Sequence, residues 1–296
     1  MTNKDITKIY FQGNEIVALY RGDTLIFKKS GVVPPKPTGK YTVRGTVTKS
    51  SGYTQFNLTY NNGQRVNVKV NKDLTFETEL QEPLTNANAM FQGRSYLETL
   101  DLNNLDTSQV TNMQNMFSQS NYLKDIKLSS FDTSKVTNMQ NMFNGCNRLK
   151  SLDLINFDTS KVTDMKGMFY DNDLLESLDL SSFDTSQVTN MGWMFYSCDN
   201  LTNLYVNFNT NNVKVSTNIF YYSHKLTNVV GKFEGAKYYL DLSYCPLNSQ
   251  SAMVFINGLA TVTEKLTLAL NATTYDSLTK EQIAIATSKG WTVTRG

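Results

Sequence analysis

The sequence predicts an α/β solenoid built from repeats of about 26 residues, and three observations support this prediction. The nonapeptide that begins at Phe131 recurs at Phe157 and at Phe183, each time with one substitution. The intervals between these copies are equal, and a fixed period of this size is typical of repeat proteins. Most of the methionines also fall at the same interval, in two columns: Met113, Met139, Met165, Met191 and Met116, Met142, Met168, Met194.

Each repeat is predicted to consist of a strand, a turn and a short helix. Leu149–Leu154 alternates as a strand does, and the Asp of each Asp-Thr-Ser turn is placed to accept a hydrogen bond from the backbone two residues on. Thr137 and Gln140 have the spacing of a helix-capping box, and Asn144-Gly145 is a typical helix end. The predicted helix would bury Met139, Met142 and Phe143.

The predicted organisation divides the chain into five segments. Residues 1–30 read as short strands with an apolar docking set, which consists of Ile9, Phe11, Leu19, Leu25 and Phe27. Residues 31–40 form a proline-rich linker. Residues 41–83 are expected to be a small antiparallel β module that shields the first edge of the solenoid, with a hairpin at Asn61-Asn62-Gly63.

The repeat array is predicted over residues 84–235 and a closing α/β cap over residues 236–296. The last repeat before the cap departs from the pattern, as terminal repeats commonly do. Within the cap, strands are expected near residues 240, 266 and 291, and helices over about 248–259 and 279–288.

Composition and motifs argue against several function classes. The net charge is only +2 and no Lys/Arg run occurs, so nucleic acid is not expected as a partner. No apolar run approaches the roughly 18 residues of a membrane span, and Met1–Phe27 does not read as an export signal. The usual catalytic and metal-binding strings do not occur, so we expect no enzyme activity, cofactor or metal site. Cys146 and Cys198 lie two repeats apart and are expected to be buried thiols.

Two columns of side chains are candidate ligand-binding surfaces. Tyr170, Tyr196 and Tyr221 each follow the Phe of a repeat, and rows of tyrosines can contact sugars or anchor a protein interface. Half-buried structural packing is an equal alternative for them. Asp153, Asp179 and Tyr205 belong to a second column on the predicted strand face, where an ordinary solvated surface is the simpler interpretation and a bound cation remains open.

The repeated string Leu-x-x-Leu-x-Leu, followed by Ser-Ser-Phe-Asp-Thr-Ser-x-Val-Thr-Asn-Met-x-x-Met-Phe, resembles the BspA-type leucine-rich repeats of bacterial surface proteins. The resemblance covers residues 84–233 and implies a leucine-rich fold, a recognition or adhesion role and no catalytic centre. The opening through Tyr20–Phe27 looks like a motif at the start of phage structural proteins. The segment Ala284–Val293 is similar to the caps of phage-encoded repeat proteins.

These features lead to a predicted function with one main alternative. The first hypothesis is a non-enzymatic phage virion protein, made in the host cytoplasm and placed on the virion surface. Its residues 1–30 would bind another virion structural protein, and its repeats would contact a host-surface polysaccharide or protein. The alternative is a BspA-type adhesin on a bacterial cell surface. A depolymerase, which needs paired carboxylates in a cleft, ranks below both, and self-association is left open.

Overall fold

The computed structural model describes residues 8–12, 15–21, 24–28, 42–48, 52, 54–80 and 82–296. The first three strands form an antiparallel sheet in the order β1-β2-β3, and their bounds are β1 Lys8–Gln12, β2 Glu15–Arg21 and β3 Thr24–Lys28. The predicted docking residues lie on these strands. The predicted linker, residues 31–40, falls outside the described residues.

The next segment folds into a hairpin and a mixed sheet. The strands are β4 Thr42–Val47, β5 Gln55–Tyr60, β6 Gln64–Lys69, β7 Thr75–Glu79, β8 Leu97–Asp101 and β9 Asp125–Lys127. β5 and β6 pair through the predicted Asn-Asn-Gly turn, whose residues all have positive φ. β4 lies between β7 and β8 in the order β7-β4-β8-β9. A side chain at Gly45 would clash with the Thr99 carbonyl, so glycine permits this pairing.

The remaining strands form two parallel sheets. One contains β10 Ser177–Leu180, β11 Asn203–Asn209 and β12 Asn228–Glu234, and the other contains β13 Leu240–Leu242, β14 Leu266–Leu270 and β15 Trp291–Arg295. The helices are α1 Ser249–Gly258, α2 Ala272–Asp276 and α3 Lys280–Ser288. Asn248 caps α1, and Thr279 with Gln282 forms a capping box on α3. None of the described helices is long and apolar enough to cross a bilayer.

The predicted α/β solenoid of leucine-rich repeats is wrong. The described residues form five small sheets, some antiparallel, some parallel and one mixed, and only three helices, all of which follow residue 248. The repeats therefore contain no helix. The predicted strand at Leu149–Leu154 is also irregular chain rather than a strand. The predicted domain bounds stay predictions.

The backbone of the repeats explains why no helix forms at Thr137–Gly145. Asn141 has a φ of 53° and Gly145 a φ of 68°, and two left-handed residues in one short segment prevent helical winding. The backbone N–H groups of Met139, Asn141 and Phe143 donate to carbonyls of the next repeat, at 2.8 to 3.0 Å. The hydrogen bonds that a helix would make within itself are thus made between repeats.

Equivalent residues of successive repeats lie side by side and form most of the core. One phenylalanine ring of each repeat stacks on the next, with centroid separations of 5.3 to 5.9 Å along Phe91, Phe117, Phe143, Phe169, Phe195 and Phe220. All of these rings are buried, as are the two methionine columns. Burial of one such side chain is worth about 1.5–3 kcal/mol. The prediction that Met139, Met142 and Phe143 are buried is confirmed.

The Asp-Thr-Ser turns join neighbouring repeats through the threonine. The buried Thr133 hydroxyl donates to the Asp158 carbonyl at 2.9 Å and accepts from the Asp158 backbone N–H at 2.8 Å. The aspartate organises the turn itself, since the Asp132 carboxylate accepts from the Ser134 backbone N–H at 3.0 Å. The predicted role of the aspartate is therefore confirmed, whereas the role of the threonine was not foreseen.

A second buried column donates hydrogen bonds to the carbonyls of the stacked phenylalanines. Its members are Ser120, Cys146, Asn172, Cys198, Ser223 and Cys245. The three cysteines are free and buried, as predicted for Cys146 and Cys198. They act as donors and not only as small apolar groups. Burial raises the pKa of the Cys146 and Cys198 thiols to about 12.

Candidate binding surface

The predicted tyrosine column is present and its rings stack. The centroids of Tyr170 and Tyr196 are 4.8 Å apart with an interplanar angle of 2°, and those of Tyr196 and Tyr221 are 5.5 Å apart at 19°. All three side chains are partly exposed. The structure therefore brings the three predicted tyrosines together.

Two further tyrosines complete this group, which we call the tyrosine cluster: Tyr170, Tyr196, Tyr221, Tyr222 and Tyr244. The Tyr244 hydroxyl donates to the Tyr221 hydroxyl at 3.0 Å, and the Tyr222 ring meets Tyr196 edge-on at 5.7 Å. The exposed His224 lies beside Tyr222 and Tyr244. Sequence reasoning missed Tyr222 and Tyr244 as site residues, although the Tyr221-Tyr222 pair was a visible signal.

Tyrosine is not required at these positions by the repeat itself. Each of Tyr170, Tyr196 and Tyr221 directly follows a buried phenylalanine, and the same position in earlier repeats holds Gln92, Ser118 and Asn144. Those repeats stack their phenylalanines with the same spacing. The tyrosines are therefore additions to one end of the repeat region.

Stacking decides which parts of these rings can meet a ligand. Tyr196 is covered on one face by Tyr170 and on the other by Tyr221. A sugar ring therefore has no free face of Tyr196 on which to stack. The cluster presents ring edges and phenolic hydroxyl groups, which both donate and accept hydrogen bonds.

The pKa values of Tyr170, Tyr196 and Tyr221 are raised above the ordinary value of a phenol. Loss of hydration raises the pKa of Tyr170 and of Tyr196, and the hydrogen bond with Tyr244 raises that of Tyr221. Burial, together with the nearby Asp173 and Asp199, also raises the pKa of Asp171. The surface around Tyr170 is thus acidic.

Two aromatic residues, Trp193 and the cluster residue Tyr222, occupy strained left-handed backbone positions. Trp193 has a φ of 57°, and the same column holds Ala89, Asn115, Asn141, Gly167 and Asn218. Tyr222 has a φ of 61°, and its column holds Gly93, Gln119, Gly145, Asp171 and Ser197. A bulky side chain in the left-handed region costs about 1–3 kcal/mol and is a recurrent feature of functional sites. The Lys166 ammonium lies 4.9 Å from the Trp193 ring.

The strand-face candidates do not join the tyrosine cluster. Asp179 and Tyr205 are cross-strand neighbours on β10 and β11, and the hydrogen bond from Ser181 lowers the pKa of Asp179. Asp153 lies outside the described strands, and its carboxylate accepts from the Ile155 backbone N–H. Lys127 pairs with Asp101 at 3.5 Å. Across the described residues, no three His, Cys, Asp or Glu side chains are grouped to hold a metal ion.

One protein-family model matches the chain, over residues 64–151 and 146–239, which together are more than half of its length. The family is described as "Mycoplasma protein of unknown function, DUF285", and the chain belongs to it. The match supports the predicted resemblance to BspA-like surface-repeat proteins, and it carries no information on phage origin. No curated protein and no solved structure matches the chain significantly.

Proposed function

We propose that the protein is a non-enzymatic binding protein whose tyrosine cluster contacts a glycan or protein on the surface of a target cell. The observation that carries the proposal is the placement of stacked, partly exposed tyrosines where the same repeat elsewhere accepts Gln, Ser or Asn. Because the fold does not require tyrosine at these positions, the three tyrosine side chains are available to bind a ligand.

The geometry of the cluster suits binding. Tyrosine supplies a large amphipathic contact area at low cost in conformational entropy. Stacking of Tyr196 between Tyr170 and Tyr221 holds the rings in place before the ligand arrives, which further reduces the entropy lost on binding. Tyr222 adds one more ring to the cluster from a left-handed backbone position that recurs in every repeat.

The proposed location is the surface of a phage particle, with residues 1–30 bound to another virion structural protein. The three-stranded sheet β1-β2-β3 is the element that would make this contact. The proposal includes no nucleic acid, membrane insertion or cofactor. Genes for capsid, portal and tail proteins beside the coding sequence would support this location.

The bacterial cell surface is the alternative location, and the family description refers to a bacterial protein without naming a location. The two locations share the binding surface but differ in what the first residues contact. Immunogold labelling of intact cells and of purified particles separates them. Label on cells in the absence of any particle would overturn the virion location.

The binding role is tested with variants that copy the chain's own earlier repeats. The triple variant combines Tyr170→Asn, Tyr196→Ser and Tyr221→Gln. The matched control is Tyr122→Ser, because Tyr122 is an exposed tyrosine outside the cluster that packs against Arg148. Binding of labelled protein to a panel of bacterial and epithelial cells is measured by flow cytometry. We expect wild-type binding to at least one cell type, a loss of about 30-fold or more in the triple variant, as for hot-spot residues, and little change in the control.

Two results would overturn the proposed function. The first is wild-type protein that binds none of the cells. The second is a correctly folded triple variant that binds as well as wild type. Thermal denaturation of each variant verifies the fold.

A further inference from the structure

A partly enclosed cleft lies beside the tyrosine cluster, between the segments 216–219 and 239–241. Its volume is about 150 Å³. Ile219 and Leu240 are buried at its base, while Ser216, Thr217 and Asn218 supply hydroxyl and amide groups. Small-molecule pockets usually start at about 300 Å³. The cleft therefore has room for one ring-sized group of a larger ligand.

The cleft and three of the five cluster tyrosines are built from the same two stretches of chain. The segment 216–219 leads directly into Tyr221 and Tyr222, and the segment 239–241 leads into Tyr244. The hydrogen bond between the Tyr221 and Tyr244 hydroxyls joins the two stretches. A ligand chain that enters the cleft with one unit can therefore continue along the cluster.

Tyr239 differs from the cluster tyrosines in what it offers. The residue is 55% exposed, against 38% for Tyr222, the most exposed tyrosine of the cluster. Tyr239 forms none of the described ring pairs, in contrast to Tyr196 between its two neighbours. Its ring is therefore open for the apolar C–H face of a sugar, which binds on aromatic rings.

Asp241 supplies an acceptor beside Tyr239, where desolvation and then the charge and hydrogen bonding of the Asp241 carboxylate raise the pKa of the Tyr239 phenol. Its Oδ1 accepts from the backbone N–H of Ser243 at 3.0 Å and from the hydroxyl of Ser243 at 2.6 Å, so the carboxylate is fixed in orientation. An ionised carboxylate only accepts hydrogen bonds, and it repels a second anion. A hydroxyl-rich, uncharged group fits these properties.

We propose that this cleft binds one neutral sugar residue of a surface glycan, and that the following residues of the glycan lie along the hydroxyl edges of the tyrosine cluster. Asp241 accepts hydrogen bonds from the sugar hydroxyls, and Tyr239 covers one face of the ring. This inference rests on the proposed function and narrows its ligand from a glycan or protein to a neutral glycan.

The test uses the full chain on a printed array of neutral and acidic glycans, the latter carrying sialic or uronic acids. We expect wild-type protein to bind neutral glycans in preference to acidic ones. Tyr239→Ala should lose about tenfold or more in affinity, equivalent to at least 1.4 kcal/mol, while Tyr239→Phe keeps the ring and should retain most binding. Asp241→Asn keeps an acceptor for Ser243 and should lose the discrimination against acidic glycans.

The failure of this inference can be told apart from the failure of the proposed function. Cells that bind the wild-type protein are treated with periodate, which oxidises vicinal diols of sugars, or with protease. Loss of binding after periodate alone supports the glycan. Loss after protease alone, a wild-type protein that binds no glycan on the array, or a Tyr239→Ala variant with unchanged affinity overturns the glycan inference and leaves the cluster variants to decide the proposed function.

Discussion

Replacement of Asn172 by Ser should stabilise the protein. Asn172 is the one amide in the buried column of donors, and its Nδ2 donates to the Phe143 carbonyl at 2.9 Å. Its Oδ1 is buried and has no hydrogen-bond partner. An unsatisfied buried acceptor costs about 1–3 kcal/mol. Ser120 and Ser223 show that a serine in this column donates to the equivalent carbonyl at 2.7 Å.

The losses that oppose this gain are small. Nδ2 also donates to the Phe169 carbonyl at 2.8 Å and to the Tyr170 carbonyl at 3.3 Å. The first of these carbonyls also accepts from Cys198 and the second from the Gly145 backbone N–H, so neither is left unpaired. The two heavy atoms removed leave a small void worth about 1 kcal/mol. The net gain is about 1 kcal/mol, or a rise in Tm of about 2–4 °C.

Thermal and urea denaturation of wild type, Asn172→Ser and Asn172→Ala measure the effect. The alanine variant removes the donor altogether and should be less stable than the serine variant by about 1 kcal/mol. A serine variant less stable than wild type would refute the reasoning. In that case Oδ1 would have a bound water as its partner, as buried polar groups often do.

Two further predictions concern the contacts between repeats. Thr133→Val removes both hydrogen bonds to Asp158 and should lower the unfolding free energy by about 2 kcal/mol. The control Ser134→Ala, at the partly exposed neighbouring residue, should cost less than half of that, as measured by urea denaturation. Equal costs would contradict the role of the threonine. The double variant Cys146→Ser, Cys198→Ser should resist alkaline unfolding. The two thiols have a pKa of about 12 in the folded protein against an ordinary value of 9.0. Their contribution to stability is therefore complete below pH 9.0 and is lost as the pH rises toward 12. At about 1.4 kcal/mol per pKa unit, the wild-type protein loses about 4 kcal/mol of stability per thiol. Circular dichroism measured against pH tests this, and wild type and double variant unfolding at the same pH would contradict it.

The sequence was informative about burial and poor about backbone conformation. Periodic methionine and phenylalanine positions predicted the core side chains correctly, because burial follows from the spacing of apolar residues. The helix at Thr137–Gly145 was wrong because a capping pattern does not reveal hydrogen bonds to a neighbouring repeat. The left-handed Asn141 was a clue, since asparagine adopts positive φ more readily than other non-glycine residues.

The candidate surface was predicted only in part. Equal spacing placed Tyr170 and Tyr196 in one column, and their rings do stack. Tyr244 lies 23 residues after Tyr221, outside the regular interval, so its place beside Tyr221 depends on how the chain leaves the last repeat. The open ring of Tyr239 likewise reflects the local packing of the segment that follows β12.

Hydroxyl-radical footprinting of the full chain, free and bound to the cells it recognises, tests the binding surface most directly. We expect oxidation of Tyr170, Tyr196 and Tyr221 to fall on binding, while Tyr122, outside the cluster, keeps its rate. Unchanged oxidation of the cluster tyrosines in protein that is bound to cells would contradict the account, because the ligand would then contact another face of the molecule.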